Sequence, residues 1–164
     1  MEKYTLSVLV DNHAGVLSRV VGLFSRRGFN IHSLSVGPTS DELISRVTIE
    51  VEGDEKIIEQ VSKQLSKIIE VIKIKTLRES ETVKRGLVLI KVKTTSKTRS
   101  EIIEVTNVFR AKIVDISPST VTIELTGNDS KINAFIDMVE QYGIEEIART
   151  GMTALERGSN TLKA

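Results

Sequence analysis

Residues 12–39 read NHAGVLSRVVGLFSRRGFNIHSLSVGPT, and they follow the strand-like run YTLSVLV at residues 4–10. The order is strand, short polar turn, glycine, amphipathic helix, glycine stop, second strand. Val8 and Val10 alternate with Ser7 and Leu9, the pattern of a strand buried on one face. Asp11, Asn12 and His13 make the polar turn, and Ala14-Gly15 lets another group approach the backbone where the helix begins. Val16, Val20, Leu23 and Phe24 then share one face of a helix predicted over residues 15–27. Gly28 stands where a left-handed C-terminal cap belongs. Asn30 opens the next strand, which runs to Gly37 and stops at Pro38. On this reading free helix N–H groups, one small residue and the amides of Asn12 and Asn30 come close together. The positive end of a helix suits a small anion such as a carboxylate. Such a site can hold a ligand but offers no group to cleave one.

Outward from this stretch the chain reads as two similar halves. In the first, residues 45–51 complete a hairpin with residues 30–37. Asp54 caps a second helix whose apolar stripe is Ile57, Val61, Leu65 and Ile68, and residues 71–77 close the unit as a strand. The polar link RESET at 78–82 follows. In the second half, residues 87–92 form a strand, and a helix near Ser100 turns Ile102, Val105 and Phe109 inward. Residues 112–116 and 121–125 flank a turn at Pro118-Ser119. Asn128 caps a helix with Ile132, Phe135, Ile136 and Val139 inward, Gly143 ends it, and residues 144–148 close the unit. Each half is β-α-β-β-α-β, so the expected class is α+β with two ferredoxin-like domains. The tail from Gly151 carries Gly, Ser and Lys and is expected to be loosely held.

Composition narrows the function classes. The chain has 164 residues, enough to bury roughly 70% of its unfolded surface. A net charge of +1 gives no electrostatic reason to expect nucleic acid or an anionic membrane as partner. With no cysteine there is no disulfide framework and no thiolate metal site or nucleophile. The start MEKYTLSVLVDN lacks a signal peptide's apolar region, so a cytoplasmic location is expected. No phosphate loop, G-x-G-x-x-G, G-x-S-x-G or H-E-x-x-H pattern occurs, and no nucleophile–base pair stands out. His13 lies on the binding turn, where a solvated turn residue is the plainer reading. His32 reads as a strand side chain. Asp54-Glu55, Glu59, Glu101 and Glu104 fall where helix caps and solvated faces explain them. Arg26-Arg27 suit the negative end of their helix. Single-stranded RNA binding needs exposed stacking aromatics. Aromatics are 4% of this chain, and Phe24, Phe109 and Phe135 read as inward-facing.

The residues Asn12, Gly15, Leu17-Ser18-Arg19-Val20, Gly22-Leu23-Phe24, Arg27-Gly28-Phe29-Asn30-Ile31, Ser33-Leu34, Val36, Pro38-Thr39, Ser45-Arg46, Thr48-Ile49 and Gly53-Asp54-Glu55 form a longer pattern. It resembles the N-terminal ACT domain of the small, regulatory subunit of acetohydroxyacid synthase (acetolactate synthase). Ala148-Arg149-Thr150-Gly151 and Arg157-Gly158 resemble that family's C-terminal end. The resemblance implies an ACT domain over 1–78 and an ACT-like regulatory-subunit domain over 79–164. It implies a non-catalytic partner that activates a large catalytic subunit and carries feedback inhibition by a branched-chain amino acid, chiefly valine. The effector would lie between two side-by-side ACT domains of a homodimer, against Asn12, His13, Ala14, Gly15, Val16, Leu17, Asn30 and Ile31. No cofactor is implied for this chain; thiamine diphosphate, magnesium and FAD belong to the catalytic subunit. Neither nucleic acid nor membrane is an implied partner. A free-standing ACT-type amino-acid sensor acting on another enzyme or a transcription factor is the alternative.

Overall fold

The structure, a computed structural model, describes residues 2–164. The first half contains β1 (Glu2–Asp11), α1 (Val16–Arg27), β2 (Ile31–Pro38), β3 (Ile44–Gly53), α2 (Glu55–Leu65) and β4 (Val71–Leu77). A single 3-10 turn, Glu79–Glu81, leads on to β5 (Thr82–Lys93), α3 (Arg99–Val108), β6 (Lys112–Ile116), β7 (Thr120–Gly127), α4 (Asp129–Glu140), β8 (Ile144–Arg149) and β9 (Thr153–Glu156). The α+β class and the doubled β-α-β-β-α-β order expected from sequence are both present. By backbone contacts the chain through Val83 joins Gly151–Ala164 in one compact unit, and Lys84–Thr150 form a second.

In the first unit the antiparallel sheet runs β2-β3-β1-β4. Leu6, Val8 and Val10 of β1 and Val47, Ile49 and Val51 of β3 are buried with Val20 and Phe24 of α1 and Val61 and Leu65 of α2. Each such side chain contributes about 1.5–3 kcal/mol of hydrophobic stabilisation. The capping signals act as read. The Asp54 carboxylate accepts the Ile57 N–H at 2.9 Å, and Gly28 takes the left-handed conformation that closes α1. The predicted stripe of α2 shifts by one residue. Ile58, not Ile57, is buried with Val61 and Leu65, and Ile68 lies beyond the helix. Ile57 instead stands over Gly53, 3.0 Å from where a β-carbon there would sit.

On α2, Lys63 donates to Glu59 one turn earlier at 2.7 Å, and this hydrogen bond holds the Glu59 carboxyl below its usual range. A depressed carboxyl pKa contributes stability above the unfolded value, lost as pH falls through the folded one. Lys63→Gln should therefore show its small destabilisation at neutral pH and lose it in acid below the carboxylate range, as read by denaturant titration at two pH values.

Residues 5–10 depart from the half-buried strand read from sequence: all six are buried. Their second face carries Thr5, Ser7 and Leu9, all buried; Leu9 borders a cavity that Thr153, Leu155 and Leu162 also line, and the Ser7 hydroxyl accepts from Arg46. Gly151–Ala164 were assigned to the second domain on sequence grounds and expected to be loose. By backbone contacts they belong with the first unit, their strand β9 pairs with β5, and Met152 and Ala154 are 4% and 1% exposed. The Ser33 hydroxyl accepts the Met152 N–H at 3.4 Å, and Ser35 and Thr153 hydroxyls lie 3.3 Å apart. Lys75 pairs with Glu156 at 2.6 Å, Arg46 donates to the Leu162 carbonyl at 3.2 Å, and Lys73 donates to the Lys163 carbonyl at 3.0 Å. A cavity of about 930 Å³ remains between this strap and Leu9, Arg46, Thr48 and Leu77.

The second unit repeats the plan, with sheet order β6-β7-β5-β8. Val88, Ile90, Val92, Val121, Ile123 and Leu125 of its strands and Ile102, Ile132, Phe135 and Val139 of its helices are buried. Asn128 caps α4 by accepting the Lys131 N–H at 3.0 Å. In α3 the buried residues are Ile102 and Thr106, while Val105 and Phe109 are half-buried. Thr106 is tolerated because its hydroxyl donates to the Ile102 carbonyl at 2.7 Å. Phe109 meets Phe135 edge-to-face at 5.3 Å. After α3, Arg110 occupies the left-handed cap position with φ 54°, where glycine is the unstrained residue. Arg110→Gly should stabilise the chain by roughly 0.5–1 kcal/mol, read as a raised denaturant midpoint.

Candidate functional site

The turn at residues 12–15 is held at one end of the first sheet by backbone bonds on both sides. The Asp11 N–H donates to the Glu70 carbonyl at 2.9 Å, and the Asn12 N–H donates to the Leu43 carbonyl at 2.8 Å. The Asn12 side chain donates to the Glu42 carbonyl at 2.7 Å. Only its Nδ2 can bond a carbonyl, so its Oδ1 remains an acceptor. Gly15 has φ 90°, a left-handed conformation that favours glycine, and nothing lies within 4 Å of where a β-carbon would sit.

α1 therefore begins with no side-chain cap and no acidic residue in its first turn. Its free amides and the positive end of its dipole face open space beside Gly15. Asn12, His13, Ala14 and Gly15 are exposed, Val16 is buried beneath them, and Leu17 is 38% exposed. His13 bonds only its neighbour's carbonyl, at 3.2 Å. This arrangement can donate to a carboxylate, accept from an ammonium through Asn12, and offer Leu17 as an apolar contact.

Within one chain the structure separates residues that the sequence reading drew together. Ile31 pairs with Val51 and Asp11 pairs with Ile44, so the two lie at opposite ends of β3. Seven strand residues separate them by about 23 Å. Asn30 is exposed and Ile31 half-buried at that far end, below the C-terminus of α1. The helix between residues 16 and 27 carries the chain down the sheet before β2 brings it back, so Asn12 and Asn30 cannot meet in one protomer.

Two features of the turn had no clear signal in the sequence. The Glu42 and Leu43 carbonyls orient Asn12, and a carbonyl leaves no mark on residue type. Arg19, one turn into α1, is ion-paired with the buried carboxylate of Glu70. Glu70 reads as an ordinary polar residue after α2, and only the fold reveals that its charge sits beside the turn. His32 accepts from Lys3 at 2.7 Å and lies 3.4 Å from Glu52, an interaction along the strand surface. Among the described residues no helix is long and apolar enough to cross a membrane.

Residues 6–73 match the family described as AHAS small subunit-like ACT domain, and residues 85–158 match the small subunit of acetolactate synthase. The probable acetolactate synthase small subunit of Archaeoglobus fulgidus is 55% identical over 157 residues, covering 96% of this chain and 98% of that protein. The acetolactate synthase small subunit of Mycolicibacterium smegmatis is 50% identical over 161 residues, covering 98% of this chain and 95% of that protein. The crystal structure of the acetolactate synthase small subunit from Thermotoga maritima superposes with a TM-score of 0.91 at 41% identity, covering 98% of this chain and all of that one. Matches of this identity and extent, over both units, decide the family. The chain belongs to the acetolactate synthase small-subunit family.

Proposed function

We propose that this chain is a regulatory subunit that binds and activates the thiamine-diphosphate-dependent catalytic subunit of acetolactate synthase and confers feedback inhibition by valine. The controlled reaction joins two pyruvates into acetolactate, or pyruvate with 2-oxobutyrate. Magnesium, FAD and thiamine diphosphate sit on the catalytic partner. The observation that carries the effector site is the uncapped start of α1 at a left-handed Gly15, with room in front of it. The α-carboxylate of valine takes the free amides near Gly15, its ammonium takes the Asn12 Oδ1, and Val16 and Leu17 flank its side chain. A ligand shifts activity only if it binds the active and inhibited arrangements unequally, so valine must favour the inhibited one.

Asn30 and Ile31 enter the same site from a second copy. β2 is an outer strand of its sheet. Two copies of β2 paired antiparallel about a two-fold axis place the start of one beside the end of the other. Asn30 of one copy then stands beside the 12–15 turn of its mate, across the dimer rather than within a chain.

Calorimetric titration of valine into the purified chain, alongside its reconstitution with the catalytic subunit, tests the reading. Saturable valine binding and a valine-inhibited, activated complex are expected. A chain that binds valine but never activates the catalytic subunit would favour a free-standing sensor instead. Mixing tests the shared site. Gly15→Asp and Asn30→Ala homodimers should each fail to bind valine. Refolded together, their heterodimers regain one intact site, about a quarter of all sites in a statistical mixture. No recovery on mixing would place both residues in one chain's site and overturn the dimer geometry.

A further inference from the structure

The outer face of the first sheet, opposite the core that its helices cover, is sheltered and yet polar. Antiparallel pairing sets Ser35 of β2, Thr48 of β3 and Ser7 of β1 side by side in one row. The next row holds Gly37, Arg46 and Leu9. Ser7 and Thr48 are 0% and 2% exposed, and Arg46 is half-buried. A face buried for packing alone carries apolar side chains, because a hydroxyl or a cation taken out of water needs a partner.

The cavity of about 930 Å³ over this face is lined by residues of the first unit alone. Its size falls within the range of small-molecule sites, roughly 300–1,000 Å³. Leu9, Leu77, Leu155 and Leu162 give it apolar walls, and Arg46 and Thr48 a polar floor. The Arg46 guanidinium donates to the Ser7 hydroxyl at 2.8 Å and to the Leu162 carbonyl at 3.2 Å, both neutral acceptors. Among the described residues no carboxylate, side-chain or terminal, lies within ion-pair reach of it. Those two bonds leave other N–H groups of the fork unused. The Thr48 hydroxyl makes no hydrogen bond among the described residues. The acids on the wall are engaged elsewhere: Glu156 with Lys75 at 2.6 Å, and Asp41 with the Leu43 N–H at 2.9 Å.

A cation without a counter-ion, a spare hydroxyl and hydrocarbon walls suit one ligand chemistry. We propose that this cavity is a second binding site, for a small monocarboxylate with a hydrocarbon body. The carboxylate takes the unused N–H groups of Arg46 and the Thr48 hydroxyl, and the body lies against Leu9, Leu77 and Leu155. Planar pairing with a carboxylate is the geometry for which the guanidinium fork is suited. The site shares no residue with the 12–15 turn and does not depend on valine binding there. Because Leu155 and Leu162 belong to the strap, a bound carboxylate also holds the end of the strap to the sheet.

Hexanoate is the probe and hexanamide its uncharged match, each titrated calorimetrically into the purified chain. Hexanoate should bind saturably, and hexanamide at least about tenfold more weakly, the scale of a charge-assisted hydrogen bond. Arg46→Met should abolish that preference. Thr48→Val removes a hydroxyl that has no partner in the protein, so its melting temperature should hold or rise while hexanoate affinity falls severalfold. A merely structural threonine would not separate the two readouts. Bound hexanoate should also slow trypsin cleavage after Arg157. Gly15→Asp, which blocks the anion site at the start of α1, should leave hexanoate affinity unchanged.

No saturable hexanoate binding, or equal binding of acid and amide, would overturn the proposal. So would hexanoate binding that is lost in Gly15→Asp, since the acid would then belong to the 12–15 turn. Unaltered hexanoate affinity in Thr48→Val and Arg46→Met would remove the site from this cavity.

Discussion

Gly15→Asp should leave a folded chain that no longer binds valine. The folding cost is small and has two opposing parts. A non-glycine residue at φ 90° is strained by roughly 1–2 kcal/mol, and aspartate is among the residues that bear it best. A carboxylate at the start of α1 returns about 0.3–1 kcal/mol through the helix dipole, since the first turn has no acid of its own. The binding cost is much larger. The new carboxylate takes the amides that the valine carboxylate would use, and it repels the ligand as well. Two like charges about 4 Å apart near a protein surface cost on the order of 4 kcal/mol, close to a thousandfold in affinity. Circular dichroism should therefore match the unmodified chain while the calorimetric signal for valine disappears. Gly15→Ala separates the two contributions: it carries the backbone strain without the charge and should keep most of the affinity. Near-normal valine binding by the aspartate variant would place the carboxylate elsewhere.

Much of this molecule could be read from its residues, and the exceptions share a cause. Asp54, Asn128 and Gly28 cap their helices as the sequence indicates, because a cap is a local event between neighbours. The two β-α-β-β-α-β units follow from apolar periodicity for the same reason. The second face of β1 was misread because what covers it lies far along the chain. Nothing near Thr5, Ser7 and Leu9 announces Met152, Ala154 or the carbonyls of Leu162 and Lys163. The candidate site divides in the same way. Residues 12–17 are contiguous and fold into one turn, so their spacing was informative. Asn30 seemed to join them only because sequence distance hides the length of α1, which carries the chain to the other end of the sheet. Arg19 and Glu70 meet beside the turn across 51 residues, beyond the reach of any local pattern.

Gly151→Ala should be the most destabilising single-methyl change in the strap, and its cause is steric rather than conformational. The backbone there lies outside the left-handed region, so alanine suits it; only the space is missing. The added β-carbon would fall 2.2 Å from the Leu34 carbonyl oxygen and 2.4 Å from its carbon, and backbone cannot swing aside as a side-chain tip can. Leu34 is paired with Ile49 in the β2–β3 ladder, so either that ladder shifts or the strap lifts. Overpacking of this kind costs roughly 1–3 kcal/mol. Lifting exposes Met152 and Ala154, which brings a comparable loss. For a chain of this length about 2–3 kcal/mol corresponds to a melting temperature lower by roughly 5–10 °C. If the strap lifts, trypsin should also reach Arg157 and Lys163 faster. Gly37→Ala is the matched control: it lies on the same strand, has an ordinary backbone conformation, and meets nothing within 4 Å. Its effect should stay within about 0.5 kcal/mol. Equal melting of the two variants would mean that Gly151 is not wedged against β2.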